Sequence, residues 1–179
     1  MEAKLFRDAY IPLILAGSLA GASLKFFVPI PNIELLLPFV MAAGILSGPG
    51  RGFMAGFSIR MIYDFYLGMP GPWTVYTTLA YGLVGLLASF IPIGASRARH
   101  LAWAAGLTLI YDIITMAGFG LSFGLPLLLL IGPQMPFTAL HLAGNCVFVF
   151  AILPGTLKYA KKLSSGELLR LPFLSGAGE

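Results

Sequence analysis

The stretch TVYTTLAYGLVGLLASFIPI, residues 74–93, runs for twenty positions without one charged side chain. At 1.5 Å rise per residue it makes a helix of about 30 Å, the thickness of a bilayer's hydrocarbon core. It therefore reads as a membrane span, and the composition extends that reading to the whole chain. Of 179 residues, 58% are hydrophobic and 10% charged, with mean hydropathy +0.90, where soluble domains carry about 25% charged residues. Such a balance places the chain in the membrane class. The 22 glycines and 13 prolines suit a spanning bundle better than a set of soluble helices.

Working outward from residues 74–93, five further apolar runs read as spans: 9–28, 33–46, 52–67, 101–121 and 137–160. Gly/Pro punctuation separates them, at Pro29 and Pro31, Ser47 to Gly50, Gly68 to Pro72, Gly94 to Arg97, and Gly132 to Pro136. Residues 122–136 are ambiguous: the apolar run from Leu127 to Ile131 is too short to cross, so it reads as a re-entrant cap or an extension of the fifth span. Span one is long and contains Lys25. No small-x-small site follows it, so no cleavable signal peptide is expected.

Six alternating spans put Lys4, Arg7, Arg51, Arg97, Arg99, Lys158, Lys161, Lys162 and Arg170 on one side, with no basic residue in the opposite loops. By the positive-inside rule both termini are cytoplasmic. The expected fold is an all-α integral membrane protein, a six-helix transmembrane bundle over residues 1–163 with a cytoplasmic tail over 164–179. The scattered basic residues, interleaved with apolar ones, argue against a nucleic-acid partner. The single Cys146 excludes an internal disulfide and a cysteine-based metal site, and its apolar neighbours suggest a buried packing thiol.

Lys25, Glu34, Arg60, Asp64, Asp112, His141 and Asn145 fall inside apolar runs, where an uncompensated charge costs at least ~2.5 kcal/mol. With the orientation above, most of them lie in the outer half of the bilayer, together with Tyr76 and Tyr81. Arg60 and Asp64 stand at i, i+4 and can pair; His141 and Asn145 share that spacing and can point into one cavity. Ion pairs and interhelical hydrogen bonds that merely hold a bundle together are the plain alternative, but they need not gather at one depth. A pocket open to the outside does. The expected substrate-binding set is Arg60, Asp64, Trp73, Tyr76, Tyr81, Asp112, His141 and Asn145. The aromatics at that level divide between an interfacial belt and pocket walls, and Trp73 is a candidate lid. Ile62-Tyr63-Asp64 recurs as Ile110-Tyr111-Asp112, a faint echo of a duplicated hairpin plan. Small residues at Ala16 and Ala20, Gly17 and Gly21, and Gly48 to Gly56 make flat surfaces for internal packing or for a partner helix.

Taken in order, Ala16-x-x-x-Ala20, the Gly48–Gly56 turn, Tyr63-Asp64 with Gly68 and Pro70, Tyr81-Gly82 with Gly85, Tyr111-Asp112, and Pro136 through His141 to Asn145 resemble the substrate-binding S component of an energy-coupling factor (ECF) transporter. The resemblance implies a multi-pass protein of the prokaryotic inner membrane, in contact with lipid, that captures a small vitamin-like micronutrient from outside. It implies docking through Ala16 and Ala20 on a transmembrane coupling subunit driven by two cytosolic ATPase subunits. Loops near Trp73 and over 122–136 would gate the pocket. No cofactor is implied. Metal-carrying relatives rely on a histidine near the amino terminus; His100 and His141 are elsewhere, which speaks against metal cargo. No GxxxxGK[ST] loop is present, so the chain is not itself the ATPase, and the zinc-protease, rhomboid, prenyl-protease and CDP-alcohol transferase motifs are missing, so an enzyme is not expected. A structural membrane scaffold of the MreD-like kind is the alternative.

Overall fold

Prolines and glycines set where the helices begin and turn. In a computed structural model that describes residues 10–30 and 33–164, the chain forms six α-helices, with no strand among the described residues. They are α1 (Tyr10–Phe27), α2 (Leu37–Ser47), α3 (Pro49–Tyr66), α4 (Pro72–Ala88), α5 (Arg97–Phe123) and α6 (Leu127–Ser164). Gly48, at φ +84°, is the whole connection between α2 and α3. Its N–H caps α2 on Gly44 O at 3.1 Å, and Pro49 opens α3, a ring whose fixed φ suits a first helical position. Ser96 caps α5 by accepting from the Arg99 N–H at 3.3 Å. Gly124, left-handed at φ +64°, ends it.

Contacts between helices fix their directions. Gly17 and Gly21 of α1 pack on Ile59 and Tyr63 of α3, so these two run parallel, and on Phe39 of α2 and Leu36 just before it, so α2 runs opposite. Gly52 and Gly56 of α3 meet Gly85 and Tyr81 of the antiparallel α4. Tyr81 and Tyr76 of α4 meet Tyr111 and Gly118 of α5, and Asp112 and Thr108 of α5 meet His141 and Asn145 of α6. Helices α1, α3 and α5 thus run one way and α2, α4 and α6 the other. One consequence is that Arg51, Arg97, Arg99, Lys158, Lys161 and Lys162 all lie toward one end of the bundle. Lys4, Arg7 and Arg170 lie outside the described residues, as does nearly all of the expected tail.

Backbones touch where α2, α3 and α4 cross. A Cβ at Gly52 would overlap Gly85 O, one at Gly85 would overlap Gly52 O, and one at Gly44 would also strike Gly85 O. The glycine surface on α3 is therefore spent on internal packing. On α1 the two small-residue registers separate: Gly17 and Gly21 are buried, whereas Ala16 is exposed and Ala20 half-buried, beside Leu15 and Leu19, which are 57% and 55% exposed.

Two helical segments, Arg97–Phe123 and Leu127–Lys162, are long and apolar enough to cross a membrane by themselves. The second expected span is shorter than its sequence run: residues 33–36 are not helical, and the 11 residues of α2 give about 16 Å of helix. The segment 122–136 departs from both alternatives raised for it. The fifth helix stops at Phe123 and a turn through Gly124 and Pro126 follows. Leu127 then begins the sixth helix, which passes through Pro133, Pro136 and Pro154 without ending. Proline removes one helical hydrogen bond, yet apolar helices tolerate it where neighbours re-satisfy the freed group. Cys146, expected to be buried, is half-buried on α6.

Candidate functional site

At the end of the bundle opposite the basic residues lies a cavity of about 500 Å³. Five parts of the chain build it: the segment before α2 gives Glu34, mid-α3 gives Arg60, and the start of α4 gives Trp73, Tyr76 and Thr77. The second half of α5 adds Tyr111, Asp112, Thr115, Met116 and Phe119, and the start of α6 adds Leu130, Pro133, Gln134 and Phe137.

Arg60 is the pivot of the charged wall. Its Nη1 donates to Glu34 Oε2 at 2.8 Å and its Nη2 to Asp64 Oδ1 at 2.9 Å, with all three side chains nearly buried. The i, i+4 pairing anticipated for Arg60 and Asp64 is formed. The guanidinium also lies 5.1 Å from the Tyr63 ring centre and 5.9 Å from that of Tyr81, within cation–π range. Tyr81 packs on Tyr111 with ring centres 4.7 Å apart, and Tyr111 meets the His141 ring edge-on at 5.2 Å. His141 Nδ1 and Asp112 Oδ1 are 2.8 Å apart; an ionised Asp112 only accepts, so Nδ1 carries the hydrogen. One turn further along α6, Asn145 Nδ2 donates to Thr108 Oγ1 at 2.9 Å.

The eight side chains expected to bind substrate fall into two layers. Arg60, Trp73, Tyr76 and Asp112 stand on the cavity wall. Asp64, Tyr81, His141 and Asn145 lie behind it, each turned to a protein partner. His141 and Asn145 do not both open into the cavity. They match a second i, i+4 pair, Asp112 and Thr108, and so join α6 to α5. Trp73 is held as wall: its Nε1 donates to Met69 O at 3.1 Å and its ring covers Gly71, where a Cβ would collide with it.

Glu34, Thr77, Tyr111, Thr115 and Gln134 belong to the wall but not to the expected set. Glu34 was visible as a carboxylate in an apolar run, and Thr115 follows Tyr111 at the i+4 spacing that puts two side chains on one face. Gln134 lies in the stretch whose prolines read as a break. Lys25, the remaining cation within an apolar run of the sequence, donates to Ile30 O at 2.7 Å and is not on the wall. The aromatics divide three ways: Phe65, Tyr66 and Phe123 are exposed and off the cavity, Tyr63 and Tyr81 are buried behind it, and Trp73, Tyr76, Phe119 and Phe137 line it, three of these (Trp73, Phe119 and Phe137) also being exposed. Among the described residues, no three His, Cys, Asp or Glu side chains are grouped as metal ligands would be.

Comparison with known protein families, with curated proteins and with solved structures brings no match.

Proposed function

We propose that the chain is a six-span membrane protein that captures a small organic solute from the outside and hands it to an energy-coupled importer, in the manner of an ECF S component. The observation that carries this reading is the cavity: ionisable and aromatic side chains from α3, α4, α5 and α6 converge on one hollow, at the end remote from the basic residues. The positive-inside rule puts that end outside a bacterial cytoplasmic membrane. Non-helical residues 33–36 fit such a setting, since irregular backbone at membrane depth is tolerated where it lines a cavity. The outward Ala16 and Ala20 on α1 give a partner helix a flat approach, and the coupling and ATPase subunits are the partners this reading requires. A scaffold protein would have no use for a hollow walled by charges.

The test is a thermal-shift screen of the purified chain against vitamins, nucleobases and related micronutrients. At least one compound is expected to raise Tm, with the rise lost in Trp73→Ala while the unliganded Tm stays within a few degrees. A full panel without any shift would defeat the capture reading. In a second arm, Ala16→Trp is expected to abolish co-purification with a coupling subunit and to leave the ligand shift intact.

A further inference from the structure

The capture reading leaves the cargo open, and the cavity's charge balance narrows it. Resting on that reading, we infer that the cavity takes an organic cation: a protonated or quaternary nitrogen attached to a ring. Among the described residues Arg60 is the only Lys or Arg on the wall, and both of its terminal nitrogens are already engaged, Nη1 by Glu34 at 2.8 Å and Nη2 by Asp64 at 2.9 Å. Arg60 Nε has no hydrogen-bond partner among the described residues, but the guanidinium charge is already balanced by two carboxylates, so an anionic ligand would add to an excess of negative charge. Glu34, Asp64 and Asp112 together outnumber the guanidinium three to one. The three carboxylates still exceed Arg60 and Lys25 taken together by one charge. Lys25 is turned to the Ile30 carbonyl, off the wall.

The second observation is an acceptor without a donor. Asp112 is 4% exposed; His141 takes Oδ1, and Oδ2 has no hydrogen-bond partner. A buried carboxylate oxygen left unmatched is unfavourable, and an ammonium N–H reaching Asp112 from the cavity would answer it. The same cavity is lined by the rings of Trp73, Tyr76, Tyr111, Phe119 and Phe137; aromatic faces attract cations and their bulk suits an apolar ring. About 500 Å³ lies within the range of pockets that enclose small organic ligands.

Three probes that share one ring and differ in charge decide the matter: tryptamine, tryptophol and indole-3-acetate, each titrated calorimetrically and by thermal shift against the full chain in detergent. Tryptamine is expected to bind at least tenfold more tightly than tryptophol, and indole-3-acetate most weakly. Asp112→Asn should cut the tryptamine preference about tenfold, the scale of one charge-assisted hydrogen bond, while leaving tryptophol unchanged. Glu34→Gln removes one of the two negative charges that balance Arg60, even if its amide oxygen still accepts from Nη1, and should raise indole-3-acetate affinity, a change of sign that a merely weakened fold would not produce. If Asp112→Asn fails to fold, the probe ranking on the unaltered chain and Glu34→Gln still decide. Binding of indole-3-acetate as tight as tryptamine, or a ranking that neither variant moves, overturns the cation assignment and leaves the cavity a ligand site. Silence from all three probes also overturns it, and the capture reading falls with it only if the micronutrient panel is silent too.

Discussion

Helices α2, α3 and α4 and the pair α5 and α6 are built on different terms. In the first group glycines let backbones touch, and α2 is buried along nearly its whole length. In the second, Gly106, Gly132 and Gly155 have open space where a Cβ would go, and long stretches of apolar side chain face outward. The contact between α5 and α6 includes two polar pairs, Asp112 with His141 and Thr108 with Asn145, beside the packing of Gly120 on Leu127 and Leu130. An interface in which backbones touch has few alternative arrangements, whereas one made by side chains and hydrogen bonds can open more readily. The cavity lies between the two groups, with its charged wall anchored on the rigid one and much of its aromatic wall carried by the other.

The sharpest break in that contrast is Arg60→Ala. It strands Glu34 and Asp64 in the interior, and removing one partner of a buried ion pair costs about 3–5 kcal/mol; denaturant unfolding in micelles should record a loss of that size. Next comes Gly85→Val, which drives a side chain into the Gly52 carbonyl. Overpacking of this kind costs about 1–3 kcal/mol, and a neutral result would show that α3 and α4 are free to part. Asn145→Ala removes one of the two polar pairs that join α5 and α6. Interhelical polar contacts in membranes average about 0.6 kcal/mol, so global stability should barely move while amide exchange in α6 quickens. Smallest is Gly155→Ala, with nothing within reach of the new methyl. It should be neutral or stabilising by up to about 1 kcal/mol, and a clear loss would mean that α6 packs against something as tightly as α3 does.

The same contrast explains what could be read from the sequence. Arg60 and Asp64 are neighbours on one helix, so their pairing follows from spacing alone. Residues 52–67 and 74–93 match α3 and α4 to within a few positions because glycine and proline flank them. Glu34 could be seen as a misplaced charge, but that it reaches Arg60 depends on how the segment before α2 folds back, and no local pattern encodes this. Pro133 and Pro136 misled most: proline punctuates a chain in water, yet it sits inside α6. His141 and Asn145 share a face as their spacing requires, but which neighbour that face meets is a tertiary fact. That face meets Asp112 and Thr108 of α5, so the two side chains stand behind the cavity wall.

Helix α6 has 38 residues and so a length of about 57 Å, nearly twice the hydrocarbon thickness it would cross. Tilt alone does not absorb so large a mismatch at ordinary angles. In a membrane bundle of the proposed kind its ends would therefore protrude, and the leading turns with Leu128 and Leu129, 79% and 66% exposed, would ride in the headgroup layer. Since Leu130, Pro133 and Gln134 on those same turns close the cavity, the mouth of the site would feel the lipid around it. Solute affinity would then vary between thin and thick bilayers, a dependence that detergent micelles would hide.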